Sequence, residues 1–239
     1  MTSPEIVTVL APAKLTVSLR IVGVRPDGFH LIDAEMVSVD LADELLIAEG
    51  DGLEVIGATG LAVPADDDNL VRRALRLVGR RARVRLTKRI PAGAGLGGGS
   101  ADAAAILHWA GYTDPVGAAT LGADVPFCLV GGRARVTGIG EVLDPLPVID
   151  RIFTLVTPPF GCSTPAVFRA WDELGSPRST GANDLEPAAL VVEPRLAVWR
   201  DELFEATGAP PVLAGSGSTW FVPGAFPAAG VVVRTTGRR

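Results

Sequence analysis

Five glycines fall within the seven residues from Gly93 to Gly99, and the chain then runs through Ser100 into Ala101-Asp102-Ala103-Ala104-Ala105-Ile106-Leu107. No other stretch constrains the fold so tightly. Glycine strips side chains from a backbone that must turn and lets its N–H groups approach an anion or a neighbour closely. The Ala-rich run behind it starts a helix, whose free N–H groups and positive dipole end favour negative charge. Arg83 to Lys88 alternates as a strand and delivers the chain to Pro91. Strand, glycine loop and helix in that order read as an anion cradle from Pro91 through Ser100, with a flexible glycine loop as the alternative. The loop is not a P-loop, because it lacks the Gly-Lys-Ser/Thr ending. Nor is it a dinucleotide fingerprint, since the glycine spacing and the following acid are absent.

A chain of 239 residues accommodates one large domain or two modest ones. Hydrophobic residues make up 48% against 21% charged, which excludes disorder. No apolar run reaches the roughly 20 residues needed to span a bilayer, so no membrane partner is expected. The net charge of −5 and a pI near 5.1 argue against a general nucleic-acid binder. Met1 to Glu5 shows no basic region followed by an apolar core, and a cytoplasmic location is expected. Arg72, Arg73, Arg76 and Arg80 recur at helical spacing, while Arg81, Arg83 and Arg85 alternate with Ala82, Val84 and Leu86; both sets read as solvated faces. The two cysteines, Cys128 and Cys162, have no metal spacing and read as small buried hydrophobes.

Along the chain, Ile6 to Val22 suggests one or two strands interrupted at Ala11-Pro12-Ala13-Lys14, which puts Lys14 at a strand end. Val37–Leu41, Glu44–Ala48 and Leu53–Ile56 read as short strands of a meander, and Asn69–Gly79 as a helix. A short helix is expected near Val116 to Leu121. Asp124 then precedes the apolar run Val125-Pro126-Phe127-Cys128-Leu129-Val130, where capping is the commonest use of an aspartate. From about Asp150 a smaller α+β half begins. It has a strand at Ile152–Val156, a helix after Ser163-Thr164-Pro165, another over Glu193–Thr207, and strands at Trp220–Val222 and Gly230–Arg234. A second glycine loop, Gly215-Ser216-Gly217-Ser218, lies between them.

Four segments thus occur in fixed order: Pro12-Ala13-Lys14, Pro91 to Ser100, Leu121-Gly122-Ala123-Asp124-Val125-Pro126, and Leu213-Ala214-Gly215-Ser216-Gly217-Ser218. In this the chain resembles the GHMP small-molecule kinases. Arg25-Pro26-Asp27-Gly28-Phe29-His30, Asp68-Asn69-Leu70, Gly138-Ile139-Gly140-Glu141 and Asn183-Asp184-Leu185-Glu186 are most similar to the members that phosphorylate a cytidine-diphosphate-linked methylerythritol. The resemblance implies an α+β fold of two domains. Residues 1–149 would resemble the second domain of ribosomal protein S5 and residues 150–239 a ferredoxin-like domain, with the active site between them.

The resemblance also implies roles. ATP is the phosphoryl donor, with Mg²⁺ whose protein ligand is unknown from the sequence. Pro91, Ala92, Gly93, Ala94, Gly95, Leu96, Gly97, Gly98, Gly99, Ser100 and Ala101 wrap its phosphates; the Ser100 hydroxyl is a candidate for the Mg²⁺ shell, with a helix cap as its equal alternative. Asn69 and Lys88 flank the adenine, with capping of the following helix as the other use of Asn69. Asp124 is the catalytic acid–base residue and Lys14 its partner lysine. Phe29 stacks on the cytosine and His30 bonds its edge, while Thr16, Gly215 and Ser216 face the acceptor.

The expected reaction is transfer of the γ-phosphoryl group to the 2-hydroxyl of that acceptor, in an isoprenoid-precursor pathway, by a monomer or weak homodimer. Several positions depart from the family pattern. Phe29 stands where tyrosine is usual, Thr16 replaces an amide, Ala101 replaces the cradle's second serine, the segment from Leu107 to Leu121 is short, and little chain follows Gly217. Two alternatives therefore stay open: a GHMP kinase for another small alcohol such as homoserine, mevalonate or a sugar, and a catalytically weak nucleotide-binding homologue.

Overall fold

The computed structural model describes residues 6–57 and 63–237. Met1 to Glu5, on which the reading of the N-terminus rests, lie outside them. The described chain is a mixed α+β structure. Strands β1 (Val7–Val24) and β2 (His30–Ala48) form one long antiparallel hairpin turned at Asp27-Gly28. Then come β3 (Gly52–Ile56), helix α1 (Leu70–Leu77), β4 (Arg83–Thr87), α2 (Gly98–Trp109), α3 (Pro115–Ala119) and α4 (Val125–Val130). β5 (Arg133–Gly138) and β6 (Val142–Leu146) complete a six-stranded sheet ordered β3-β4-β2-β5-β6, with β1 on β2. The remaining elements are β7 (Ile152–Val156), α5 (Thr164–Glu173), α6 (Glu186–Val192), α7 (Leu196–Thr207), β8 (Val212–Leu213), β9 (Trp220–Pro223) and β10 (Val231–Arg234). Their strands form a second, four-stranded sheet in the order β10-β7-β9-β8.

Two sequence expectations are corrected by the hairpin. β1 runs unbroken through Pro12, so Lys14 stands inside a strand and not at its end. The strand survives because the register shifts between Pro12 and Lys14, an irregularity that accommodates a residue unable to donate to the ladder. The separate strands expected at Val37–Leu41 and Glu44–Ala48 are parts of β2, since β1 pairs along both. Asp43 shares the inward face of β2 with Leu45 and Ile47 and is completely buried there.

α2 is the centre of the larger sheet's helical layer. Every residue from Ala101 to Leu107 is buried, and the helix packs on β1 and β2 with α1 and α4 beside it. A helix covered on all sides needs small residues, and the alanines let both helices and the sheet approach. The arginines of the following pattern behave as expected: Arg81, Arg83 and Arg85 are exposed while Ala82, Val84 and Leu86 are buried. Cys128 is buried, but Cys162 is only half-buried. Desolvation still pushes its thiol up to about 11, which keeps it unreactive.

The two sheets are tied at several points. Leu19 of β1 bridges Asn183, and its N–H and C=O meet Ala182 O and Asp184 N at 2.9 Å each. Asp184, fully buried, accepts from Arg20 Nη1 at 2.7 Å and from the N–H groups of Ile21 and Ser179 at 3.0 Å each. Asn183 donates to the carbonyls of Leu213 (2.8 Å) and Gly215 (2.6 Å), which pins the second glycine loop from below. Removing the Asp184 carboxylate strands several donors at once. Asp184→Ala should cost about 2–4 kcal/mol, read as a lowered denaturant midpoint at unchanged slope.

Candidate active site

The glycine loop is positioned by contacts that only glycine permits. Gly95 has φ +76°, and a Cβ there would stand 2.5 Å from the Ala214 carbonyl oxygen and 2.8 Å from that of Gly217. The two glycine loops therefore meet backbone to backbone, joined as well by Thr219 N–H to Ala94 O at 3.1 Å. Gly97, φ +67°, is the N-cap of α2, and a Cβ on it would lie 2.7 Å from Lys14 Cγ. Lys14 N–H donates to Leu96 O at 3.1 Å. Thus β1 is bonded directly to the loop, with the Lys14 side chain running beneath it.

Lys14 Nζ lies 3.4 Å from Asp124 Oδ2 and donates to Thr16 Oγ1 at 3.1 Å. Asp124 precedes α4, yet its side chain makes no capping bond, so the capping alternative fails. Its carboxylate is one-third exposed while the lysine is nearly buried. Lys14 is fixed and Asp124 can reach solvent and ligand.

Two cavities flank the cradle, and the pair lines one of them. One, of about 620 Å³, is lined by Lys14, Thr16, Phe29, His30, Asp124, Gly215 and Ser216. The other, of about 600 Å³, is lined by Pro91 through Ser100 together with Asn69, Lys88 and Asp102. Gly95, Gly97 and Ser100 border both, so the cradle is the wall between them. Every residue expected at the site lines one cavity or the other except Ala101, which is buried inside α2.

Several expected uses change. Ser100 is the third residue of α2 and caps nothing, because left-handed Gly97 holds the cap position. Asn69 is the N-cap of α1: its amide oxygen accepts from Val71 N–H at 2.9 Å and its amide nitrogen donates to Pro64 O at 2.7 Å. Its polar atoms are used by the fold, leaving only its surface to the cavity. Lys88 is buried, and its ammonium donates to Asp43 and Asp102. Burial pushes the Lys88 pKa down, but the two carboxylates outweigh it and hold it above the ordinary value.

In the first cavity His30 Nε2 lies 2.8 Å from Asp172 Oδ1, and its ring packs on Phe168 and Trp171 at centroid distances of 4.8 and 5.6 Å. Phe29 is 56% exposed, with a free face. Phe168, Arg169 and Asp172 also line this cavity and were not singled out in the sequence. The helix that bears them was foreseen, but nothing local marks which of its faces a distant hairpin turn will meet.

Residues 69 to 132 match the family model for the GHMP kinases N terminal domain. Over 231 residues the chain is 40% identical to 4-diphosphocytidyl-2-C-methyl-D-erythritol kinase of Paracoccus denitrificans (strain Pd 1222), covering 88% of this chain and 84% of that one. The chain belongs to the GHMP kinase family. A relative of the same name from Cereibacter sphaeroides (strain KD131 / KCTC 12085) is 38% identical over 241 residues, covering 88% and 87%. The crystal structure of a 4-(cytidine 5'-diphospho)-2C-methyl-D-erythritol kinase is similar with a TM-score of 0.76 at 32% identity, over 97% of this chain and 99% of that chain.

Because Gly95 has no room for a methyl group, Gly95→Ala should separate the two glycine loops. The expected cost is about 2–4 kcal/mol of stability, together with at least a ~10-fold weaker ADP affinity for a cradle moved off its geometry. Denaturant unfolding and calorimetric ADP titration read the two effects.

Proposed function

We propose that the chain transfers the γ-phosphoryl group of ATP to the 2-hydroxyl of 4-diphosphocytidyl-2-C-methyl-D-erythritol. The Lys14–Asp124 pair, lining one cavity with Lys14 packed against the Gly97 wall that the two cavities share, carries this reading. Phosphoryl transfer needs an aligned donor and acceptor, neutralisation of phosphoryl oxygens and a destination for the hydroxyl proton. The cradle's N–H groups and the positive end of α2 would hold the nucleotide phosphates from one side of Gly97. Asp124 would take the proton of the acceptor hydroxyl from the other side. Lys14, locked under Gly97 and bonded to Thr16, would stabilise the developing alkoxide and the phosphoryl oxygens.

Magnesium would travel with the nucleotide and offset phosphate charge. Among the described residues no group of three or more His, Cys, Asp or Glu side chains could hold a metal. A cation that ordinarily keeps several waters and binds through phosphate oxygens needs no such cage. For the acceptor, Phe29 offers a ring face to a base and His30, steadied by Asp172, a polar edge. Arg169 and Ser216 line the same cavity with groups suited to a diphosphate. The relatives' names support this choice of acceptor. The reading involves neither a membrane nor a nucleic acid.

Asp124→Asn should leave ADP binding intact and lower kcat by at least ~10²-fold, the lower end for a positioned general base. Lys14→Ala should lose turnover similarly, and unchanged turnover in either variant, in a coupled ADP-release assay, removes that residue's role. CMP or CDP should raise the melting temperature, and His30→Ala should abolish that protection. Protection by homoserine or galactose without protection by cytidine nucleotides would assign a different acceptor.

A further inference from the structure

Beneath the first turn of α2 lies a charged cluster that phosphoryl transfer does not use. Lys88 Nζ donates to Asp43 Oδ2 and, at 2.8 Å, to Asp102 Oδ2, and all three residues are buried. Asp43 is satisfied, since its Oδ1 also accepts from the N–H groups of Arg89 (2.5 Å) and Ile90 (2.8 Å). Asp102 is not, for its Oδ1 is buried and has no hydrogen-bond partner. The cluster touches the cradle itself: a Cβ on Gly98 would lie 3.1 Å from Lys88 Nζ.

With both carboxylates ionised, two negative charges and one positive leave a buried excess negative charge under a site for polyphosphate, where screening is weak. A buried carboxylate oxygen without a donor is costly in its own right. A proton on Asp102 removes both penalties. Burial first, and Asp43 beside it, push the Asp102 carboxyl up to about 7 against the opposing pull of Lys88.

Among the described residues, the other elements packed on α2 supply no competing cation to this carboxylate. β1 brings Lys14, paired with Asp124 at the head of α4. Beyond Asp43, β2 brings Glu44, which binds Arg89. The arginines of α1 are engaged elsewhere: Arg72 with Ala65 O, Arg73 with Thr120 O and Arg76 with Asp67. Asp66 and Asp68, before α1, add only negative charge at the cavity.

We infer that Asp102 is a positioning residue that takes up a proton from solvent when a nucleoside di- or triphosphate enters the cradle, coupling nucleotide affinity to one protonation inside the protein. This rests on reading the Pro91–Ser100 cavity as the nucleotide site. The test is calorimetric titration of the full chain with ADP, in buffers of different ionisation enthalpy, from about pH 6 to about pH 9. Wild-type affinity should fall as pH rises past neutrality, by up to about tenfold per pH unit, the limit for one coupled proton. Asp102→Asn should flatten that fall, bind ADP several-fold more tightly at the alkaline end, and take up less protonic charge. The phosphates of ADP titrate identically against both proteins, so the difference between them reports Asp102.

Equal slopes and equal proton uptake in the two proteins would overturn the inference while leaving nucleotide binding in place. Failure of ADP to bind either protein would overturn the nucleotide reading and the inference with it. Should the variant not fold, infrared difference spectra of the wild type supply the second readout. Addition of ADP at about pH 8 should raise a protonated-carboxyl carbonyl band, and its absence overturns the inference.

Discussion

Backbone packed on backbone at Gly95 is the contact from which the site takes its geometry. A methyl group there would stand 2.5 Å from the Ala214 carbonyl, so the first glycine loop can rest on the backbone of the second only because Gly95 carries no side chain. Asn183 holds the second loop from below through the carbonyls of Leu213 and Gly215. The adjacent Asp184 clasps Arg20 and Ile21 of β1. One short segment therefore links the long hairpin, the second glycine loop and the smaller sheet.

From that contact the remaining parts fall into place. Leu96 O accepts from the Lys14 N–H, and the lysine side chain passes under Gly97 to reach Asp124. Asp124 is held at the head of α4, which packs on the alanine-covered flank of α2. Small residues are thus used twice, as glycines to bring backbones together in the loop and as alanines to bring helices together behind it. The charged cluster of Asp43, Lys88 and Asp102 sits below the same turn, so the glycine loop is backed by ionisable groups.

Much of this was legible in local pattern. The glycine loop, the helix behind it and the strand before it follow from residue types within a single stretch, as do the alternating arginines of β4 and the cap of α1 at Asn69. Less was legible where distant partners decide. Lys14 was expected at a strand end because Pro12 interrupts the pattern, yet pairing with β2 carries the strand through. Ser100 looked like a cap, but the left-handed backbone of Gly97 moved the helix start earlier. Lys88 is expected to flank the adenine pocket, and its ammonium is instead taken by two buried carboxylates, Asp43 of β2 and Asp102 of α2. β6 and α6 carry too little periodicity to be read, and their form depends on the neighbours they pair with and pack against; β5 repeats the arginine alternation of β4, but its place beside β2 is set by pairing.

By itself the sequence determined an α+β chain with a glycine cradle opening a buried helix, and it named the ordered segments shared by GHMP kinases. Those are properties of adjacent residues, set by backbone freedom, helix propensity and the period of apolar side chains. Only the tertiary structure decided that Lys14 and Asp124 stand 3.4 Å apart, that the cradle divides two cavities, and that Asp102 is left with an unpaired buried oxygen. Each of these depends on groups distant in sequence sharing one desolvated space. In that space close packing and unscreened charge set the geometry, and neither can be read from a residue's immediate neighbours in the chain.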